Sequence, residues 1–346
     1  MVLFLNCHAY EKGSGGSFLN TEAGNGKGRF WHEGDFGNMK TDVIIPVYKP
    51  GQELFTLLDR LNEQTRKPDE ILLVNTEQSY FEQLVAGTDF WHRYKNVSVR
   101  HISKREFDHG GTRKMAVSRT QNDIFLMMTD DAIPADSHLI ERLVAPIEEG
   151  RAQMSYARQL IRKDGGVIEA FTRQFNYPDR SELKTAADLK TRGIKAFFAS
   201  DVCAAYSRAW YEKLGGFVKH TIFNEDMIFA RRLLDAGGSI AYVADAEVYH
   251  SHNYTGIQQL KRNFDLGVSH AQYPEIFEGV ATQQEGMKLV KETAKYLLKT
   301  GKPFLIFKLV WQSGCKYLGY KLGKNYRKLP RRAVLFLTMN REYWKV

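Results

Sequence analysis

Asp42-Val-Ile-Ile-Pro-Val-Tyr48 is a short apolar run, and Pro50-Gly51 follows it almost at once. A run of this length closed by a breaker pair predicts a buried strand and then a turn. Glu53–Gln64 carries apolar residues at 54, 57, 58 and 61, a helical spacing. Pro68-Asp-Glu precedes Ile71-Leu-Leu-Val74, a second buried strand. Phe81–Tyr94 is predicted helical and Val97–Ile102 is a third strand. Gly110–Arg119 opens on a glycine pair and continues as a helix. Ile124-Phe-Leu-Met-Met128 is a fourth strand, running into Thr129-Asp130-Asp131. Strands and helices in this order predict an α/β sheet that is mostly parallel. Ligands of such sheets lie at the carboxyl ends of the strands, so Tyr48, Asn75, Asp130 and Asp131 are placed for binding.

The second half is more mixed. Ser137–Glu149 reads as helix, and Ala152–Arg162 as strand before a loop around Asp164-Gly165-Gly166. Ala196–Tyr206 is a strand region, and Trp210–Phe217 a short helix ended by glycine. Asn224 is a good N-cap for a helix over Asn224–Asp235, which closes near Gly237-Gly238. Ile240–Val243 and Val248–His250 read as two further strands. An acceptor pocket is expected within 150–220, with Arg158 and Asp201 as possible contacts.

The chain has 346 residues, 43% of them hydrophobic, which is enough to bury a full core and excludes global disorder. Three scattered cysteines, Cys7, Cys203 and Cys315, argue against a disulfide framework or a cysteine zinc site. No apolar run reaches the roughly 18–20 residues of a membrane span. The formal charge of +9 is unevenly placed: residues 281–346 hold 15 Lys/Arg and 3 Asp/Glu, a net of +12, which leaves −3 for the rest. In that tail Phe304, Phe307, Trp311, Tyr317 and Tyr320 interleave with Lys308, Lys316, Lys321, Lys324, Arg327 and Lys328. Basic residues mixed with aromatic ones on a helix suit an anionic bilayer surface. The alternative is a solvated helix packed on the main domain. Nothing in the sequence matches a nucleic-acid motif, so nucleic acid is not an expected partner. Residues 1–38 contain eight glycines with little periodicity and are expected to form a disordered leader. Their apolar start lacks the basic region and length of a signal peptide. The expected organisation is a leader at 1–38, an α/β domain at 39–270 and a basic helical extension at 271–346.

Four segments carry chemistry. Asp130-Asp131 after a strand suits Mg²⁺ or Mn²⁺ shared with phosphate oxygens, or else an ordinary turn before Pro134. Asn224-Glu225-Asp226 at a helix start either holds an ionised base or simply complements the helix dipole. His250 and His252, beyond a strand end, could complete a metal site or be structural. Phe107–Arg113 joins a flexible glycine pair, a helix N-terminus and an arginine, all of which favour anions.

In this order the elements resemble the family-two inverting glycosyltransferases of the GT-A fold, over about residues 41–270. Val43–Tyr48 resembles that family's first nucleotide-binding strand. Thr129-Asp130-Asp131 falls where the family has its Asp-x-Asp metal motif, Asn224-Glu225-Asp226 matches its Glu-Asp pair, and Gln259-Leu-Lys-Arg262 resembles its Gln-x-x-Arg element. More narrowly, Phe107–Arg113, Asn224–Phe229 and His250-Ser-His-Asn-Tyr254 together are similar to bacterial rhamnosyltransferases. Thr129 stands where the first Asp of the motif is expected, and Asn75 where an acidic residue is common after the second strand.

The resemblance implies a GT-A, Rossmann-like nucleotide-binding sheet with a helical basic extension, and a single displacement with inversion. It implies dTDP-β-L-rhamnose as donor and a polysaccharide or lipid-linked glycan as acceptor. Mg²⁺ or Mn²⁺ would sit on Asp131 and His252, and Asp226, with Glu225 beside it, would be catalytic. Pro46, Val47, Tyr48, Asn75, His109, Gly110, Arg113, Asp130 and Arg262 would bind the donor, Arg113 and Arg262 adding fixed positive charge. A UDP-hexose donor on the same fold, or a non-catalytic membrane-associated scaffold, are the alternatives. The expected location is cytoplasmic, peripheral at the inner face of the cell membrane through the basic tail.

Overall fold

The computed structural model describes residues 39–163, 165–280 and 282–345, so the leader expected at 1–38 lies outside the described residues. The first half alternates as β1 (Thr41–Tyr48), α1 (Glu53–Asn62), β2 (Glu70–Thr76), α2 (Gln78–Val85), α3 (Phe90–Arg93), β3 (Val97–Ile102), α4 (His109–Val117) and β4 (Ile124–Met128). Next come β5 (Ile133–Pro134), α5 (Leu139–Glu148), β6 (Met154–Leu160), α6 (Val167–Asn176), β7 (Glu182–Lys184), α7 (Asp188–Arg192), β8 (Cys203–Ser207), α8 (Arg208–Lys213), α9 (Glu225–Asp235) and β9 (Ile240–Tyr249). The C-terminal part holds α10 (Gly256–Gln272), α11 (Pro274–Phe277), α12 (Thr282–Lys299), α13 (Leu305–Lys324) and α14 (Arg331–Leu337).

Nine strands form one sheet in the order β3-β2-β1-β4-β8-β6-β9-β5, with β7 paired to β9. β1, β2, β3 and β4 run parallel to their neighbours, and β8 joins β4 antiparallel. Period-two alternation sends Val43, Ile45, Ile71, Leu73, Leu126 and Met128 to one face, under α1 and α5. It sends Ile44, Leu72, Val74, Phe125 and Met127 to the other, against Phe229, Leu233 and Tyr206. Both faces are therefore dry, which is why these strands read as unbroken apolar runs. The dry sheet is rigid, and it leaves the polar residues that follow its strand ends to form the site.

Three expected elements differ. The helix predicted over Phe81–Tyr94 is split into α2 and α3, and Gly87 between them takes φ +72°, outside helical geometry. The strand predicted from Ala196 begins only at Cys203, because a turn with Cys203 N–H donating to the Ser200 carbonyl (3.2 Å) interrupts it. The two strands predicted at 240–250 are one strand, β9, paired to β6 with a register shift between Ala157 and Arg158. Helix α6 was not expected; its amphipathic pattern lies in a weakly patterned stretch.

The basic extension packs on the rest of the chain. Helix α13 lies along α10 through glycines: Gly319 faces the Leu260 carbonyl, Gly323 the Phe264 carbonyl, and Gly267 the Tyr320 carbonyl, each with no room for a Cβ. Asp265 on α10 ties down the chain end, accepting from Thr338 Oγ1 (2.6 Å) and Met339 N–H (2.9 Å); burial pushes its carboxyl up to about 6. The outer side of α13 leaves Phe304, Phe307, Val310, Trp311 and Leu318 exposed. Among the described residues no helix is long and apolar enough to cross a membrane.

The seam makes a prediction of opposite signs. Gly314 faces open space, so Gly314→Ala raises stability by up to about 1 kcal/mol through helix propensity. Gly319→Ala collides with a backbone carbonyl and lowers stability by about 1–3 kcal/mol. Thermal or denaturant melts read both; two increases would mean that α13 does not pack this way.

Candidate active site

The end of β4 and the end of β9 are brought together by β5, where Ile133 pairs with Tyr249. This puts Thr129-Asp130-Asp131 beside His250 and His252. Asp131 Oδ2 lies 3.2 Å from His252 Nε2 and 3.5 Å from His250 Nε2. One ligand atom from each of the three residues falls within 4.8 Å of the others. His250 Nδ1 is 3.0 Å from Gln159 Oε1, an acceptor, so Nδ1 carries the proton and Nε2 turns a lone pair toward Asp131. Gln159 is itself fixed by a hydrogen bond from Arg173 Nη1. Burial pushes the His250 imidazole down to about 3 and lowers His252 as well, so both are neutral. A lone pair and a carboxylate facing each other at this distance fit a shared divalent cation. The sequence offered Asp131 with His250 and His252, and the structure brings all three together. Asp130, beside the Tyr48 amide, is pushed up to about 6 by burial and then by the Asp131 charge.

The second group forms where α9 begins. Asn224 adopts φ 68°, a left-handed conformation that asparagine tolerates. Its side chain does not cap the helix as expected; Nδ2 instead donates to Ser269 Oγ at 3.2 Å, because the left-handed turn points it at α10. The turn sends Glu225 and Asp226 inward. Arg113 from α4 meets them, Nη1 3.1 Å from Glu225 Oε1 and Nε 3.4 Å from Asp201 Oδ2. Asp226 accepts from the Asp201 N–H (3.1 Å) and the Met227 N–H (2.7 Å). Burial opposes the Glu225 charge, but Arg113 outweighs it and brings the carboxyl down to about 2. Asp226 is pushed up to about 7, by burial first and by the Glu225 charge next. Asp201 is raised too, by burial and the Asp226 charge, and accepts a hydrogen bond from Tyr206 Oη.

A cavity of about 540 Å³ joins the two groups. His109, Arg113, Asp130, Asp131, Glu225, Asp226, His252 and Arg262 line it together. Asp201, Gln159, Glu169, Arg173 and Lys316 line it as well. Of these Asp201 was named as a contact in the expected acceptor region 150–220; Gln159, Glu169 and Arg173 fall in that region without being singled out.

Pro46, Val47, Tyr48, Asn75 and Gly110 are not among the lining residues. Val47 is core. Pro46 sits within β1 opposite Val74. Tyr48 stands exposed against Tyr80, with Lys104 Nζ 5.1 Å from its ring. Asn75 is fully buried, and its Nδ2 is committed to the Glu77 carbonyl (3.1 Å) and His101 Nδ1 (3.0 Å). Gly110 packs under the Val218 carbonyl, so the glycine serves close approach rather than flexibility. At the start of α4 the Gly111 N–H is already taken by Asp108 Oδ1 at 2.8 Å. Arg158 pairs with Glu247 at 3.1 Å and does not line the cavity.

The Glycosyl transferase family 2 pattern matches residues 42–215. The chain is 39% identical to the O-antigen chain rhamnosyltransferase RfbN of Salmonella typhimurium over 310 residues, 88% of this chain and 96% of that protein. The chain belongs to glycosyl transferase family 2. This glycosyltransferase is also 36% identical to the O-antigen chain rhamnosyltransferase WbaN of Salmonella anatum, over 87% of this chain and 95% of that one. A mannosyltransferase from Pyrobaculum calidifontis, solved with GDP-Man and Mn²⁺, superposes with a TM-score of 0.50 at 14% identity. It covers 88% of this chain and 85% of its own. That likeness speaks to fold: the glycosyltransferase has the expected GT-A architecture.

If Gln159 orients His250 for a metal, Gln159→Leu should weaken Mn²⁺ binding about 10–100-fold. Mn²⁺ titration followed by electron paramagnetic resonance measures this directly. Affinity unchanged by the substitution would contradict the ligand assignment.

Proposed function

We propose that this glycosyltransferase moves L-rhamnose from dTDP-β-L-rhamnose to a hydroxyl of a lipid-linked or polysaccharide acceptor, with inversion. The observation that carries the proposal is the 39% identity to an O-antigen chain rhamnosyltransferase along nearly the whole of both chains. The cavity chemistry is consistent with it.

Asp226 is the proposed base. It lines the cavity, and its two backbone hydrogen bonds leave the carboxylate oriented rather than paired to a cation. Raised to about 7, it is basic enough to accept a hydroxyl proton as the acceptor oxygen attacks the anomeric carbon. Glu225 has a different part. Held at about 2 by Arg113, it is a poor base, and its standing negative charge helps lift Asp226. Asp131, His250 and His252 would hold the divalent cation, with Asp130 close by. Two imidazoles favour Mn²⁺ over Mg²⁺, which prefers oxygen ligands. Such a cation supplies charge neutralisation at a departing diphosphate. Arg262 lines the same cavity and stacks on Phe223 at 4.6 Å, and it is the proposed side-chain partner for that anion.

The outer face of α13 is the proposed contact with an anionic membrane surface. Its support is the exposed Phe304, Phe307 and Trp311 on a segment with a net charge of +12. That would place the enzyme peripherally at the inner membrane face, beside a lipid-linked acceptor.

A base works in its ionised form, so kcat/KM should fall about tenfold per pH unit below about 7 and level off above it. Asp226→Asn should lower kcat by about 10²–10⁴-fold, remove that pH dependence and leave nucleotide binding intact. Near-normal turnover by Asp226→Asn would take Asp226 out of the mechanism. For the membrane contact, vesicles of mixed phosphatidylglycerol and phosphatidylcholine should sediment the enzyme, and high salt or Phe307→Ser should release it. Binding indifferent to both changes would assign the face another use.

A further inference from the structure

Lys316 is the one residue of α13 among those that line the active-site cavity. It reaches that wall because the glycine seam fixes the rotation of the helix. Gly319 and Gly323, three and seven residues on, lie against α10 backbone, and Gln312 Nε2 donates to the Tyr254 carbonyl at 3.3 Å. The side of α13 that carries Lys316 is thus pressed toward the cavity, while Phe307 and Trp311 face out.

The charged groups that act on it are Glu169, Arg262 and Arg173. Arg173 is already paired with Glu169 at 2.9 Å. Arg262 lies over the rings of Phe223 and Tyr254 and makes no ion pair among the described residues. Lys316 likewise makes no hydrogen bond or ion pair with a described residue. Two cations thus stand on one cavity wall, neither of them closing an ion pair with a described residue. We propose that Lys316, delivered from the C-terminal extension, binds the diphosphate of the nucleotide-sugar donor together with Arg262 and so makes the extension part of the active site.

Burial lowers the Lys316 ammonium from its ordinary range; Glu169 acts against that shift, and the nearby Arg262 and Arg173 add to it, a repulsion that an arriving diphosphate would offset. The inference rests on the glycosyltransferase reading above and deepens it. It also changes the meaning of the basic tail, since one of its lysines serves the substrate rather than the surface.

The test is calorimetric binding of dTDP and of dTMP, each with Mn²⁺, to the full-length enzyme and its variants. Losing one charge-assisted contact should weaken dTDP binding about 10–100-fold in Lys316→Met. Binding of dTMP should fall much less, because the second phosphate is the contact at stake. Lys316→Arg should recover most of the affinity. Lys299→Met, on exposed α12, should bind both nucleotides as wild type does. A purely structural role for Lys316 would lower dTDP and dTMP affinity together, along with Tm, and that result overturns the inference. So does unchanged dTDP affinity in Lys316→Met with a raised acceptor KM. Wild-type enzyme that binds dTDP while Lys316→Met binds it equally removes this inference alone. Wild type that binds no nucleoside diphosphate removes the glycosyltransferase reading and this inference with it.

Discussion

One guanidinium is shared among buried carboxylates. Arg113 pairs with Glu225 and Asp201, and Asp226 follows Glu225 in the same turn of α9. A single positive charge cannot balance three negative ones away from water. The charge therefore goes where the geometry is best: Glu225 ionises, and Asp201 and Asp226 are pushed up. Asp226 is thereby left protonatable near neutrality, at a cavity wall, because burial and the Glu225 charge outweigh Arg113 there. Elements distant in sequence converge on this arrangement: α4 supplies Arg113, the turn before β8 supplies Asp201, and the left-handed Asn224 aims α9.

The same cavity holds a second electrostatic problem with the opposite solution. Asp131, His250 and His252 crowd a carboxylate and two neutral imidazoles together, an arrangement that a divalent cation completes. The sheet brings the two groups to one cavity because β5 ties the end of β4 to the end of β9, while β8 lies between β4 and β6. Each group is built on residues just outside rigid strands and helices, so the dry core fixes their separation.

The sheet was legible because strands buried on both faces leave unmistakable apolar runs. Val43–Val47, Ile71–Val74 and Ile124–Met128 needed no context. The cluster was partly legible: Asp131, His250 and His252 stood out near strand ends, whereas Gln159, which orients His250, is distant in sequence. Asp201 was noticed as an acceptor contact, but its place beside Arg113 and Asp226 was hidden, since the turn that presents it replaced a predicted strand. Asn75 and Gly110 lie outside the cavity lining and make packing or internal hydrogen-bond contacts, which only the fold reveals. Lys316 could not be singled out, because among many tail lysines nothing local distinguishes the one that turns inward. The glycine spacing of α13 held that information, but only once α10 was known to be its partner.

Charge thus divides three ways rather than two: carboxylates at the catalytic wall, a cation-seeking cluster, and a basic extension that both docks on the domain and lends it a lysine. The central claim is rhamnosyl transfer from a deoxythymidine diphosphate donor. The most direct measurement is a donor panel scored by released nucleoside diphosphate, with Mn²⁺ and a lipid-linked glycan acceptor. It should include dTDP-β-L-rhamnose, UDP-glucose, UDP-N-acetylglucosamine and GDP-mannose. The account predicts turnover with dTDP-β-L-rhamnose well above every other donor; preferential turnover of a UDP-hexose would contradict it.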